Sequence, residues 1–92
     1  MYIIKPYTKS QAKLLNVIVK PSTRKNKKID VYTKDNQYIC SIGSLGYLDY
    51  PNYLEKYGDY IANYQRELYK KRHHKDRLIE GSKGWYADNL LW

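Results

Sequence analysis

Two adjacent histidines stand in the segment YKKRHHKDR, residues 69–77, among five Lys/Arg side chains and beside Asp76. Imidazole and carboxylate together could hold a metal ion or move a proton, and the lysines and arginines could neutralise phosphate. Neighbouring helical residues point about 100° apart, so His73 and His74 are poorly placed to share one ion. A helical ligand pair needs a spacing of three or four, and no third ligand lies nearby. A metal-dependent nuclease built on His74 and Asp76 after a hairpin lacks the acid cluster such a site needs. GSLG and GSKG have neither the spacing nor the strand–helix setting of a phosphate loop. The sequence therefore points to no catalytic residue, no metal and no cofactor, which leaves phosphate contact as the chemistry to examine.

The charge distribution supports that direction. The net charge is +8, and residues 1–28 hold eight Lys/Arg and no acid. Residues 29–65 carry five acids against two bases, and residues 66–77 carry six bases against two acids. Two basic blocks flanking an acidic, tyrosine-rich middle favour a polyanion partner. The first block offers Lys20, Arg24, Lys25, Lys27 and Lys28, read as a flexible basic loop over 20–28. In the second, helical spacing brings Arg66, Lys70, His73 and Arg77 within about 60° of one another, as a rigid ridge. Arg72 and Lys75 fall nearer the apolar side. Arg72 is expected to lie on tyrosines and pair with Asp88 or the Trp92 carboxylate.

These residues need elements to hold them. MYIIKPY reads as a strand or extended arm, and Thr8 as the cap of a short helix, TKSQAKLLN. VIVKP reads as extended, because Pro21 restricts Lys20 to β or polyproline geometry. KIDVYTKDNQYICSIG predicts a β-hairpin over about 28–43, turning at Asp35-Asn36. Its pairs are expected to be Ile29–Ile42, Val31–Cys40 and Thr33–Tyr38 on one face. Asp30–Ser41, Tyr32–Ile39 and Lys34–Gln37 fall on the other. Pro51 opens a helix that runs to Tyr57 and ends at Gly58. Asp59 caps a longer helix over about 60–77, with Tyr57, Ile61, Tyr64 and Leu68 in one core-facing stripe. After the EGSKG break, WYADNLLW supplies one or two final helical turns. The expectation is a single α+β domain over 1–92, its hairpin packed on the long C-terminal helix.

Composition narrows the rest. Twelve Tyr, two Trp and no Phe make an unusual aromatic set. Tyr57, Tyr60 and Tyr64 at helical spacing suit packing. Tyr32 on the outer hairpin face, and Tyr47, Tyr50 and Tyr53 around a turn, suit base stacking or a protein interface. The single Cys40 excludes an internal disulfide and any zinc site built on several cysteines, and reads as a core thiol. A free thiol, no signal-peptide pattern and no membrane-length apolar run place the protein in a reducing intracellular compartment, away from membranes.

Four stretches stand in order along the chain: KKIDVY (27–32), SIGSLGYLDY (41–50), YKKRHHKD (69–76) and GWYADNLLW (84–92). In this order they resemble small proteins of nucleocytoplasmic large DNA viruses, with looser relatives in tailed phages. KPYTKSQAKLL and VKPSTRK are similar to the N-terminal part of the longer members. The resemblance implies a virus-encoded protein, found in the infected cell or packaged in the virion. It brings no activity and no catalytic residues. The combined expectation is a small non-enzymatic protein that binds the DNA or RNA backbone through charge, without sequence specificity. Its rival is a virion structural or assembly protein that meets a capsid or core protein through Tyr47, Tyr50 and Tyr53.

Overall fold

The computed structural model describes all 92 residues and is α+β: one three-stranded antiparallel sheet and four α-helices. The chain forms two compact units, Met1–Tyr47 and Leu48–Trp92.

The first unit opens with helix α1, Pro6–Leu15. Pro6 takes the first helical position, where its missing N–H costs nothing, so the helix starts before Thr8. Thr8 is therefore no cap; it is fully buried inside the helix. Asn16 ends α1 in the left-handed region, its N–H returning to the Ala12 and Lys13 carbonyls.

Strands β1 (Ile18–Pro21), β2 (Lys27–Tyr32) and β3 (Tyr38–Ser44) follow in meander order. The expected pairs Ile29–Ile42, Asp30–Ser41 and Val31–Cys40 form. Beyond them the register slips, and Tyr32 faces Tyr38 instead of Ile39. The turn explains the slip. Thr33 closes a four-residue turn with Asn36, whose N–H meets the Thr33 carbonyl at 2.9 Å. Asn36 is left-handed (φ 68°), and Thr33 N–H then bonds the Gln37 carbonyl at 2.8 Å. A turn of that length needs an extra residue in one strand, and a bulge supplies it. Tyr38 consequently leaves the face expected for it and joins Asp30 and Ser41. Ile29, Val31 and Ile42 form the fully buried apolar side.

The second unit begins with α2, Tyr50–Tyr57, capped by buried Asp49, which accepts from Asn52 N–H at 3.1 Å and Asn52 Nδ2 at 2.7 Å. Gly58 (φ 86°) turns the chain into α3, Asp59–Arg72, which stops five residues short of the expected end. The cause lies in the next turn. Arg77 Nε donates to the Lys70 carbonyl at 3.2 Å, satisfying one of the carbonyls a helix end leaves open. Asp76–Leu78 form a short 3-10 turn. Helix α4, Lys83–Leu91, is capped by Ser82, whose Oγ accepts from Trp85 N–H at 3.1 Å. Gly84 lets α4 approach that turn, since a Cβ there would stand 2.9 Å from Asp76 Cβ. Ala62, Tyr69, Leu90 and Leu91 are the buried apolar residues of this unit.

Candidate nucleic-acid interface

Register and alternation place Lys20, Asp30 and Ser41 in one row across the three strands, with Tyr32 and Tyr38 paired in the next. Asp30 is only 4% exposed. Ser22 Oγ and Ser41 Oγ donate to its Oδ1 at 2.6 and 2.5 Å. Ser41 has one hydroxyl hydrogen, so the 2.8 Å contact between Tyr38 OH and Ser41 Oγ must be donated by the tyrosine. The hydroxyl chain Tyr38→Ser41→Asp30 thus anchors a ring that is itself exposed. Burial acts to raise the Asp30 carboxyl. The Ser22 and Ser41 hydroxyls, the Thr23 backbone and the Arg24 guanidinium outweigh it and hold the group below the ordinary carboxylate value.

Two cations lie on this aromatic pair. Lys20 Nζ is 5.0 Å from the Tyr32 ring centre, and the Arg24 guanidinium is 4.6 Å from that of Tyr38. The two rings meet edge to face at 5.9 Å. An exposed cation–π contact stabilises by about 0.5–1 kcal/mol. Stacking a nucleobase on an aromatic side chain contributes about 1–3 kcal/mol. Stacking on either ring would thus be worth at least as much as the cation contact it replaced.

The expected basic loop over 20–28 is strand at both ends and a turn over 22–26. Lys20 sits in β1, Lys27 and Lys28 sit in β2, and Ser22 N–H bonds the Lys28 carbonyl at 3.0 Å. A turn between them, with Asn26 left-handed (φ 65°), carries Arg24 and Lys25, both exposed. Lys27 is half-buried. Lys28 is buried, its Nζ 5.5 Å over the Tyr2 ring, and it drops out as a surface contact.

No family model, curated protein or solved structure matches this chain. The site therefore rests on its own geometry.

The second basic group is not an open ridge. Helix α3 buries Ala62 and Tyr69, so its inward side runs through Arg66 and His73 and is opposite the one expected. Lys70 Nζ meets Asp88 Oδ1 at 2.7 Å, and Arg77 Nη1 lies 4.0 Å from Asp88 Oδ2. Arg66 stacks at 3.9 Å on the Tyr50 ring, donates to Asn63 Oδ1 at 2.9 Å and reaches the Trp92 backbone oxygen at 3.5 Å. His73 stacks on Tyr69 at 4.4 Å, and Tyr69 on Trp92 at 4.3 Å. Asp88, an expected partner of Arg72, is taken by Lys70 and Arg77, and Arg66 reaches the Trp92 backbone oxygen, while Arg72 is exposed. Burial, and then the charge of Asp88, push the Tyr69 hydroxyl up to about 12. His73 Nδ1 lies 3.9 Å from Asp76 Oδ2, and no three His, Cys, Asp or Glu side chains converge.

The tyrosines exchange roles as well. Tyr47 is 77% exposed, whereas Tyr50 lies under Arg66 and Tyr53 packs against Tyr57 and Trp92. Of the three expected interface rings, only Tyr47 is exposed. The expected core stripe does reach solvent, with Tyr60 85% exposed and Tyr57 and Tyr64 each 53%. Cys40, expected in the core, is half-exposed. Tyr38 was missed as a stacking ring because its side depends on the bulge. Asn36, the left-handed last residue of the turn, was the signal for it.

Proposed function

We propose that this is a small, non-enzymatic protein that binds single-stranded nucleic acid through the outer face of its sheet, without sequence specificity. The observation that carries this reading is the Tyr32–Tyr38 pair with Lys20 and Arg24 laid over its rings. The exposed Tyr38 ring, with half-buried Tyr32 beside it, can accept the π-face of any base, and the cations beside them can meet the backbone. Lys25 adds a third exposed charge in the same turn. The charge-driven mode read from the sequence is thus kept but moved. Lys20, Arg24 and Lys25 do the work, and Arg66, Lys70 and Arg77 serve the helical unit. A single strand is favoured over a duplex because duplex bases are stacked on their neighbours and have no free face to offer.

The test is an anisotropy titration with a single-stranded DNA, the same sequence as RNA, and the duplex, over a series of salt concentrations. The expected result is tighter binding to single strands that weakens steadily with salt. Affinity that ignores salt, or a preference for duplex, overturns the reading. A second reading, an assembly protein meeting a viral capsid or core protein, draws on exposed Tyr47, Tyr57 and Tyr60. Co-assembly that persists after Lys20, Arg24 and Lys25 are neutralised supports it.

A further inference from the structure

We propose that α3 is also a self-association surface, pairing antiparallel with α3 of a second copy of this chain. Ala62 and Tyr69 fix the buried side of the helix. At about 100° per residue, the opposite side carries Tyr60, Tyr64, Glu67 and Lys71, flanked on one edge by Ile61 and Leu68. Tyr60, Ile61, Tyr64, Glu67 and Lys71 are exposed and Leu68 is half-exposed. Tyr60 and Tyr64 stand one turn apart, so their exposed rings form one surface rather than scattered residues.

The order of residue types along this surface selects its partner. Its N-terminal end is aromatic, at Tyr60 and Tyr64, and its C-terminal end is charged, at Glu67 and Lys71. Laid parallel, two copies set Lys71 against Lys71 and Glu67 against Glu67. Laid antiparallel over the 14 residues of Asp59–Arg72, they set Tyr60 opposite the other copy's Lys71 and Tyr64 opposite its Glu67. The first pair is a cation over a ring. In the second, the tyrosine hydroxyl can donate to a carboxylate. Ile61 and Leu68 lie on the same edge and meet across the pair. Each helix thus supplies what the other lacks, as a two-fold interface requires. A contact about 21 Å long is small, so the dimer is weak and concentration-dependent. This inference does not rest on the sheet face, so either can fail alone.

Sedimentation velocity across a wide concentration range tests it. Wild type is expected to pass reversibly from monomer to dimer. Tyr60→Ser/Tyr64→Ser should raise the dissociation constant at least about tenfold with an unchanged circular-dichroism melt, since both side chains are exposed. Tyr47→Ser, off this helix, should dimerise like wild type. Orientation is read on a Cys40→Ser background by mild oxidation. Glu67→Cys copies lie near the two-fold axis and should cross-link. Lys71→Cys copies lie about 16 Å apart along the axis and should not. Wild type that stays monomeric, a serine variant that dimerises equally, or Lys71→Cys copies that cross-link as readily each overturn the proposal.

Discussion

The sheet face and the α3–α4 contact are built from the same residue types, basic side chains beside tyrosines near a buried aspartate, and use them in opposite ways. On the sheet, Asp30 is satisfied by hydroxyls from Ser22 and Ser41, with only a charge contribution from Arg24, and Lys20 and Arg24 lie over the half-buried Tyr32 ring and the exposed Tyr38 ring. Between α3 and α4, Asp88 instead draws in Lys70 and Arg77. What satisfies the buried carboxylate decides whether the nearby cations face solvent or hold the fold. Basic residues counted along a sequence do not make that distinction.

The largest expected effect tests the structural half of this contrast. Trp92 stacks on Tyr69 and packs near Tyr53, so Trp92→Ala should cost the helical unit about 3 kcal/mol, read by chemical denaturation. Asp88→Ala should come next, at about 2 kcal/mol, because it leaves Lys70 and Arg77 half-buried without their carboxylate. In both variants the affinity of folded protein for a single strand should be unchanged. Tyr38→Ala tests the other half. It should lower that affinity by about 1–2 kcal/mol, roughly 5–30-fold, with little change in melting.

Acid and base should separate the two regions more gently. Asp30 is held below its ordinary value of 3.8, so its contribution is present above that pH and is lost as pH falls through the lowered value. Tyr69 is raised from 10.0 to about 12, so its contribution is intact below pH 10 and is lost as pH climbs toward 12. Acid should therefore loosen the sheet first and alkali the helical unit first, a contrast that residue-resolved hydrogen exchange at the two extremes would report. Asp88→Asn should bring the Tyr69 ionisation down, measurable by tyrosinate absorbance, because the neighbouring negative charge is gone.

Legibility in the sequence followed the range of the forces involved. Alternation over KKIDVY and CSI gave the hairpin and its first three pairs, since burial of Ile29, Val31 and Ile42 tolerates one register only. Tyr32 on the outer face was legible for the same reason. Tyr38 was not, because a turn one residue longer than expected flips everything beyond the bulge. The faces of α3 were read the wrong way round for a different cause. Tyrosine suits core and surface alike, so Tyr57, Ile61 and Tyr64 looked like a core stripe. The side that is buried runs through one small residue, Ala62, and one large one, Tyr69, with arginine and histidine between. That pattern has meaning only once Asp88 and the Trp92 terminus are in place.

Under the proposed function, the sheet cations bind a single strand and the helical cations do not. Salt-dependent titration of one single-stranded oligonucleotide tests it, comparing wild type with Lys20→Gln/Arg24→Gln/Lys25→Gln and with Lys70→Gln/Arg77→Gln. Neutral replacements are needed at Lys70 and Arg77, because a glutamate there would set like charge against buried Asp88. Each variant is measured where circular dichroism shows it folded. The account predicts that the sheet variant flattens the salt slope by about two, near 0.7 for each lost contact, and that the helical variant keeps the wild-type slope. A flattened slope in the helical variant beside an unchanged one in the sheet variant would contradict it.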